Sequence, residues 1–243
     1  MKKFLIVIIL ALVTVSAKSQ DSYIGFSLGT SIPQGKFAQN VDIFNDGYAI
    51  PGFTVSFEGF YYPISLVGVG GTLGFGSVYA ERDVYLGHLL DYIETQTVVP
   101  VLSQVPLPEE TNFESGFWNY VNLMLGPELS VPFGPFQAGV RALGGLNMSF
   151  YPKRDLSYTE GLDDIMAIAK GTSANLVYSY GGSILYQSRS GTGIKLSADY
   201  FNSSAAYDFE LTKITDLETY KDTREEEVEM EAISVTLGFF YVF

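Results

Sequence analysis

The chain has 243 residues and no cysteine, which excludes disulfides, thiolate metal sites, cysteine nucleophiles and lipid attachment through an N-terminal cysteine. It carries 18 Phe, 17 Tyr and 1 Trp but only 17% charged residues, against roughly 25% in ordinary soluble domains, so its chemistry suits an interface better than bulk water. A formal charge of −13 leaves no footprint for a phosphate backbone and excludes nucleic acid as a partner, while a lone histidine, His88, excludes a multi-histidine centre; no metal or cofactor is expected.

In chain order, Lys2 and Lys3 precede an unbroken apolar run from Phe4 to Val13, followed by small and polar residues (Thr14, Ser16, Ala17, Ser19). This order predicts a secretory signal over residues 1–20, cleaved near Ala17 or Gln20, because the run falls short of the roughly 20 residues that cross a bilayer. The exported domain is then 21–243, more acidic still because the signal takes away three lysines and no acid. Within it, apolar residues recur with period two, which predicts strands over Tyr23 to Ile32, Gly52 to Tyr62, Leu66 to Tyr79, Trp118 to Val131, Phe136 to Tyr151, Asn175 to Gln187, Gly193 to Phe201 and a last strand ending at Phe243. The connections alternate in length. Pro63 to Ser65, Pro132 to Pro135 and Ser188 to Thr192 are tight turns, whereas Pro33 to Pro51, Ala80 to Phe117, Pro152 to Ala174 and Asn202 to Met230 are long loops.

The loops carry their own patterns. His88 lies in the second, near Asp83 and Asp91, and reads as a solvated loop histidine. Val98 to Pro108, with three prolines, is an unusually apolar extended stretch suited to packing on neighbouring loops or to a partner. Leu162 to Lys170 in the third has apolar residues at i, i+3, i+4 and i+7, which predicts a short amphipathic helix that caps the barrel. The fourth loop gathers Asp216, Glu218, Asp222, Glu225, Glu226, Glu227 and Glu229 into a solvated acidic face, through which divalent cations can bridge to lipopolysaccharide phosphates.

The faces of the strands decide the architecture. In the first, Ile24, Phe26 and Leu28 alternate with Gly25, Ser27 and Gly29; in the third, Val67, Val69, Leu73 and Phe75 alternate with Gly68, Gly70, Thr72, Gly74 and Gly76. One face is bulky and apolar and the other is small and polar. A soluble barrel of the lipocalin kind has a polar exterior and a bulky lumen, whereas a membrane barrel reverses this. Eight strands, short turns at one end and long loops at the other predict an all-β fold: an eight-stranded antiparallel up-and-down transmembrane barrel, monomeric, with both termini periplasmic and long extracellular loops. Phe60, Tyr61, Tyr62, Phe133, Phe136, Tyr186, Tyr241 and Phe243 beside the short turns, and Tyr79, Phe117, Trp118, Phe150, Tyr151, Tyr200 and Tyr207 beside the long loops, are expected to form two interfacial girdles.

The C-terminal stretch from Thr236 to Phe243, with Thr236, Gly238, Tyr241 and Phe243 at its defining positions, resembles the β-signal of Gram-negative outer-membrane proteins. The opening Tyr23 to Gly29, Ile32 to Phe37, and the internal Leu125-Gly126-Pro127-Glu128-Leu129 are similar to small barrels of the OmpX-like and PorT-like families. The resemblance implies insertion by the barrel-assembly machinery, contact with outer-membrane lipid and lipopolysaccharide, and envelope protein partners engaged through the loops.

The inward faces carry Glu58, Glu128, Arg141, Lys195 and Asp199, which are expected to form an ion-pair network tying the walls together, since unpaired charges in a narrow lumen are costly. A catalytic role would need His88, and no serine stands beside it in the His-X-Ser order of outer-membrane deacylases. The expected function is non-enzymatic: a structural or interaction barrel working through its loops. The alternatives are a PorT-like subunit of a secretion or translocation apparatus and an OmpW-like conduit for small apolar molecules.

Overall fold

The computed structural model describes residues 22–96, 112–160, 163–214 and 219–243. The signal segment 1–20 and the apolar stretch Val98 to Pro108 lie outside them. In chain order the elements are β1 (Tyr23–Gln34), α1 (Gly35–Ala38), β2 (Ala49–Ile64), β3 (Val67–Ala80), α2 (Arg82–Gln96), β4 (Asn112–Ser115), β5 (Phe117–Phe133), β6 (Phe136–Glu160), β7 (Asp163–Gln187), β8 (Thr192–Ile214) and β9 (Thr219–Val242). Every ladder is antiparallel between neighbours, β1 also pairs with β9, and β6 pairs with β7, so eight of these strands close into a ring. The last rung joins the two ends of the described chain, where Ser22 and Phe243 exchange both backbone hydrogen bonds at 2.9 and 2.8 Å. Closure removes the sheet edges that lipid cannot satisfy.

The alternation seen in the sequence sets the two faces. Ile24, Phe26 and Leu28 on β1, Leu123, Leu125 and Leu129 on β5, and Leu237, Phe239 and Tyr241 on β9 are exposed on the outside, and Leu125 keeps 68% of its surface. Ser27, Ser31, Thr54, Thr72, Asn122 and Thr236 are buried in the lumen. Where lumen residues are large, the facing residue is glycine: a Cβ on Gly70 would stand 2.7 Å from Cγ of Phe60, and one on Gly68 would stand 2.8 Å from the Tyr62 ring. A polar and small interior inside an exposed apolar mantle is stable only when hydrocarbon replaces water outside.

The predicted girdles need correction. Tyr61, Phe133, Phe136, Tyr186, Tyr241 and Phe243 do project outward at the short-turn end, as do Tyr79, Phe117 and Phe150 at the other. Phe60, Tyr62, Trp118, Tyr151 and Tyr207 instead turn inward and are buried. The reason is the pleat: Phe60 and Tyr62 flank Tyr61 and must take the opposite face.

Two long loops are also corrected. The third and fourth predicted loops are largely strand, because β6 and β7 pair up to Glu160↔Asp163 and β8 and β9 up to Ile214↔Thr219. Of the helix predicted over Leu162 to Lys170, Leu162 lies outside the described residues and the rest is part of β7. Ile165, Ala167 and Ala169 alternate with Met166, Ile168 and Lys170, and pairing with β6 and β8 on both sides overrides the weaker helical spacing. On the fourth, Tyr207, Phe209 and Leu211 alternate with Asp208 and Glu210, while inward Val228 and Met230 alternate with outward Glu227 and Glu229. The longer of the two helices described at the long-loop end is α2, in the second loop.

These extensions build a head above the barrel. The inner face of the prolonged β6–β9 sheet buries Leu156, Ile165, Ala167, Phe209, Leu211, Val228 and Met230 in one cluster with Tyr85, Leu89 and Ile93 of α2. Tyr85, Leu89 and Ile93 sit four residues apart and so share one helix face. Phe44 of the first loop completes the cover, with its ring 5.1 Å from Tyr92 and 5.3 Å from Phe209.

Candidate functional site

The charged lumen layer lies toward the tight-turn end. Arg141 on β6 stands in a row with Gly181 on β7 and Asp199 on β8, and the missing side chain at Gly181 lets the guanidinium reach across one strand. Its Nε and Nη2 donate to the two Asp199 oxygens at 2.7 and 2.6 Å, a bidentate pair, and Nη1 donates to Glu58. Lys195 Nζ lies 3.1 Å from the other Glu58 oxygen and 3.7 Å from Glu128. Glu128 accepts the Tyr23 hydroxyl at 2.9 Å and the Tyr62 hydroxyl at 2.5 Å, and Lys195 donates to Tyr23 at 2.5 Å. All five predicted charges are therefore brought into one buried cluster spanning β2, β5, β6 and β8. Three acids face two bases, and the two tyrosine donors supply what the second base leaves unmet at Glu128. The sequence pattern did not single out Tyr23 and Tyr62 as members, although each falls on the inward phase of its strand.

Above this layer the lumen is polar and narrow. Ser27 and Ser56 share a hydrogen bond at 2.7 Å, Asn147 donates to Asn122 at 2.5 Å, and Tyr120 donates to Ser31 at 2.8 Å. The space left between Thr54, Thr72, Asn122, Ser179 and Thr236 is about 50 Å³, enough for water and not for an organic substrate.

A third layer closes the mouth under the head. Arg154 of β6 is buried, its guanidinium 3.7 Å from the centre of the Tyr85 ring, 5.1 Å from that of Tyr151 and 5.6 Å from that of Tyr48. It donates to the Tyr151 hydroxyl at 2.8 Å and to the Gly47 carbonyl at 3.2 Å, while Trp118 Nε1 donates to the same carbonyl at 2.8 Å. Tyr151 stacks on Tyr207 with centroids 4.0 Å apart, and the Phe37 ring of α1 meets Trp118 edge-on at 5.2 Å. The first loop is thus pinned to the barrel wall by one arginine and a ring of aromatics. Tyr48 holds φ +52 there, a conformation that this packing maintains.

His88 is not a solvated loop residue as expected. It lies half-buried on α2, and its Nδ1 is 2.7 Å from the Tyr48 hydroxyl. Burial, and then the nearby Asp46 carboxylate, push the Tyr48 hydroxyl well above the ordinary tyrosine range. Tyr92 on the same helix is pushed up to about 12, first by burial and then by its 3.0 Å hydrogen bond to Asp222. Burial acts to raise Asp42 in the first loop, but the backbone N–H groups of Phe44 and Asn45 and the Asn45 amide outweigh it and hold that carboxyl low. Of the acidic residues of the fourth predicted loop, Asp216 and Glu218 lie outside the described residues, Glu225, Glu227 and Glu229 are exposed on the outward face of β9, and Asp222 and Glu226 fall half-buried on its inward phase, with Asp222 also bound by Arg224 at 3.0 Å. At the other end, Thr236 is buried in the lumen, Gly238 lies close against the backbone of Phe26, and Tyr241 and Phe243 are exposed on the mantle.

A ring of eight antiparallel strands with a polar, filled lumen and an apolar mantle defines a transmembrane β-barrel, the fold of outer-membrane barrel proteins. Among the described residues no helix is long and apolar enough to cross a membrane. No family model and no curated protein matches the sequence. Solved structures to which the chain is similar include Ail, the attachment invasion locus protein of Yersinia pestis, at 11% identity and TM-score 0.42, covering 91% of this chain and 100% of that one. The outer-membrane protease OmpT of Escherichia coli is similar at 10% identity and TM-score 0.45, covering 96% and 100%. A major outer membrane protein of Thermus thermophilus is similar at 12% identity and TM-score 0.43, covering 90% and 99%.

Proposed function

We propose that this protein is a non-conducting, non-enzymatic outer-membrane barrel whose folded head is a binding platform. One observation carries the reading: the lumen is filled at two levels, by the Arg141–Glu58–Asp199–Lys195–Glu128 cluster and by the Arg154 aromatic layer, while the prolonged strands, α2 and the first loop build a head with its own core. Side chains locked in mutual ion pairs are poor transport groups, and a packed head presents a fixed surface at small entropic cost on binding. The OmpX-like and PorT-like resemblance of β1 and of Leu125 to Leu129 on β5 fits the same reading, with lipopolysaccharide and envelope proteins as partners, and the β-signal resemblance of β9 fits recognition of Thr236, Gly238, Tyr241 and Phe243 by the assembly machinery. The rigidity of the head favours, as a second reading, a PorT-like subunit of a secretion or translocation apparatus. An OmpW-like conduit is disfavoured by the filled lumen.

The test joins two measurements on the mature protein. In planar bilayers it is expected to show no conductance steps above the membrane baseline, and steady channels would overturn the non-conducting reading. Affinity purification from native envelopes, compared with a variant in which residues 155–168 and 205–228 are replaced by short turns, is expected to lose specific co-purifying envelope proteins. Identical recovery by both would overturn the platform.

A further inference from the structure

The ladder between β7 and β8 is interrupted between Lys170↔Asp208 and Tyr178↔Asn202, where β7 spends more residues than β8 on the same span. Side chains bridge the seam: Asn175 Nδ2 donates to the Ser204 carbonyl at 3.0 Å, the Ala206 N–H to Ser173 Oγ at 3.1 Å, and Ser203 Oγ to the Leu176 carbonyl at 2.9 Å. A groove of about 660 Å³ opens there, within the roughly 300–1,000 Å³ of small-molecule sites, with a floor of Leu176 and Tyr178 and a rim carrying Lys36, Asn202, Glu227 and Glu229. Leu176 is 79% exposed, the most of any large apolar side chain on β7.

Its height on the barrel gives its meaning. On the outward face Tyr200 pairs with Ile233 in the last apolar rung, and the next rungs are Asn202↔Glu231, Ser204↔Glu229 and Ala206↔Glu227. The groove therefore straddles the boundary where the lipid-facing mantle ends, and its apolar floor continues that mantle. Its rim holds both signs of charge, one ammonium and two carboxylates. Among the described residues neither Lys36 nor Glu227 makes an ion pair within 4 Å, and Lys36 acts on Asp42 only at longer range.

We infer that this groove binds the headgroup of an outer-leaflet lipid that carries both a phosphate and an ammonium, as a phosphoethanolamine does. The Asn202 amide nitrogen donates to Glu229 at 2.9 Å and to Glu231 at 3.2 Å and so holds the carboxylate rim in place; the ammonium meets Glu227 and Glu229, the phosphate meets Lys36, and an acyl chain lies along Leu176 and Tyr178. An anionic headgroup without the ammonium faces two carboxylates against one lysine and is rejected. The inference rests on the membrane position of the mantle and is independent of whether the lumen conducts.

The probe is native mass spectrometry of the full mature protein released from micelles containing equal amounts of phosphatidylethanolamine and phosphatidylglycerol. Wild type is expected to retain phosphatidylethanolamine about fivefold over phosphatidylglycerol, the size of one well-placed exposed charge pair. Glu227→Gln with Glu229→Gln is expected to abolish that preference, and Asp164→Asn, at the far tip of the head, to leave it intact. Heat-dependent gel mobility reports that each variant is folded. Equal retention of the two lipids by wild type, or a preference that survives the double substitution in a folded protein, overturns the inference.

Discussion

Replacing Arg141 with Met tests the charged lumen layer. The Arg141 side chain is 7% exposed and its guanidinium serves two carboxylates at once, Asp199 through two hydrogen bonds and Glu58 through one. Its loss leaves Glu58, 1% exposed, with Lys195 alone at 3.1 Å, and Asp199, 13% exposed, with no cation among the described lumen residues. Removing one partner of a buried ion pair costs about 3–5 kcal/mol, because the remaining charge stays desolvated. Methionine returns part of the lost packing, yet leaves both carboxylates in place, so the cost is expected near the lower end, about 3 kcal/mol, or roughly a hundredfold in the unfolding equilibrium. The assay is reversible urea unfolding in detergent or vesicles, followed by heat-dependent gel mobility. The triple variant Arg141→Met, Glu58→Gln, Asp199→Asn removes the stranded charges and is expected to recover more than half of the loss, since the interaction within the cluster is not additive. An Arg141→Met cost under about 1 kcal/mol, or a triple variant no better than the single one, refutes the reasoning.

Three further outcomes follow from the head and the lumen packing. Arg154→Ala removes the contact with the Tyr85 ring and the hydrogen bonds to Tyr151 and Gly47; it is expected to cost about 2–4 kcal/mol locally and to expose the first loop to limited proteolysis with the barrel intact. Gly70→Val places side-chain atoms against Phe60 and the neighbouring backbone, so it is expected to cost about 1–3 kcal/mol by overpacking, measured by the same urea unfolding. Tyr92 has its hydroxyl raised to about 12 from the usual 10, so its contribution to head docking is complete below pH 10 and is lost as the pH rises from 10 through 12. Trp118 lies beneath the head and reports docking by fluorescence; Tyr92→Phe is expected to lose the part of the alkaline transition that wild type shows in that window.

Much of this molecule is legible in its sequence because a transmembrane barrel writes one repeated rule: bulky outward, small inward, every second residue. Ile24, Phe26 and Leu28 against Gly25, Ser27 and Gly29 contain the wall of β1 already, and the same phase selects the five lumen charges that the structure places together. The head was less legible for a physical reason. Above the membrane the outward face meets water again, so β8 and β9 carry Asp208, Glu210, Glu225 and Glu227 where the wall carries Leu and Phe, and the strand period hides under charge. Leu162 to Lys170 satisfies both helix and strand spacing, and only pairing with β6 and β8 decides between them. The α2 helix has its signal in Tyr85, Leu89 and Ile93 at intervals of four. Arg154 had none: an arginine without a carboxylate partner reads as solvent-exposed until the loop that buries it is known.

Wall, lumen and head all depend on which medium touches the mantle, and the absence of native cysteine makes that directly measurable. Single cysteines at Leu28, Leu125, Leu196, Asp208 and Glu227 can be spin-labelled in the protein reconstituted into vesicles, and relaxation by dissolved oxygen compared with relaxation by a water-soluble nickel chelate. Labels at Leu28, Leu125 and Leu196 are expected to be oxygen-accessible and shielded from nickel, with Asp208 and Glu227 the reverse. Nickel accessibility at the three leucine positions equal to that of the two head positions would contradict the membrane barrel and the assignments of wall, lumen and head built on it.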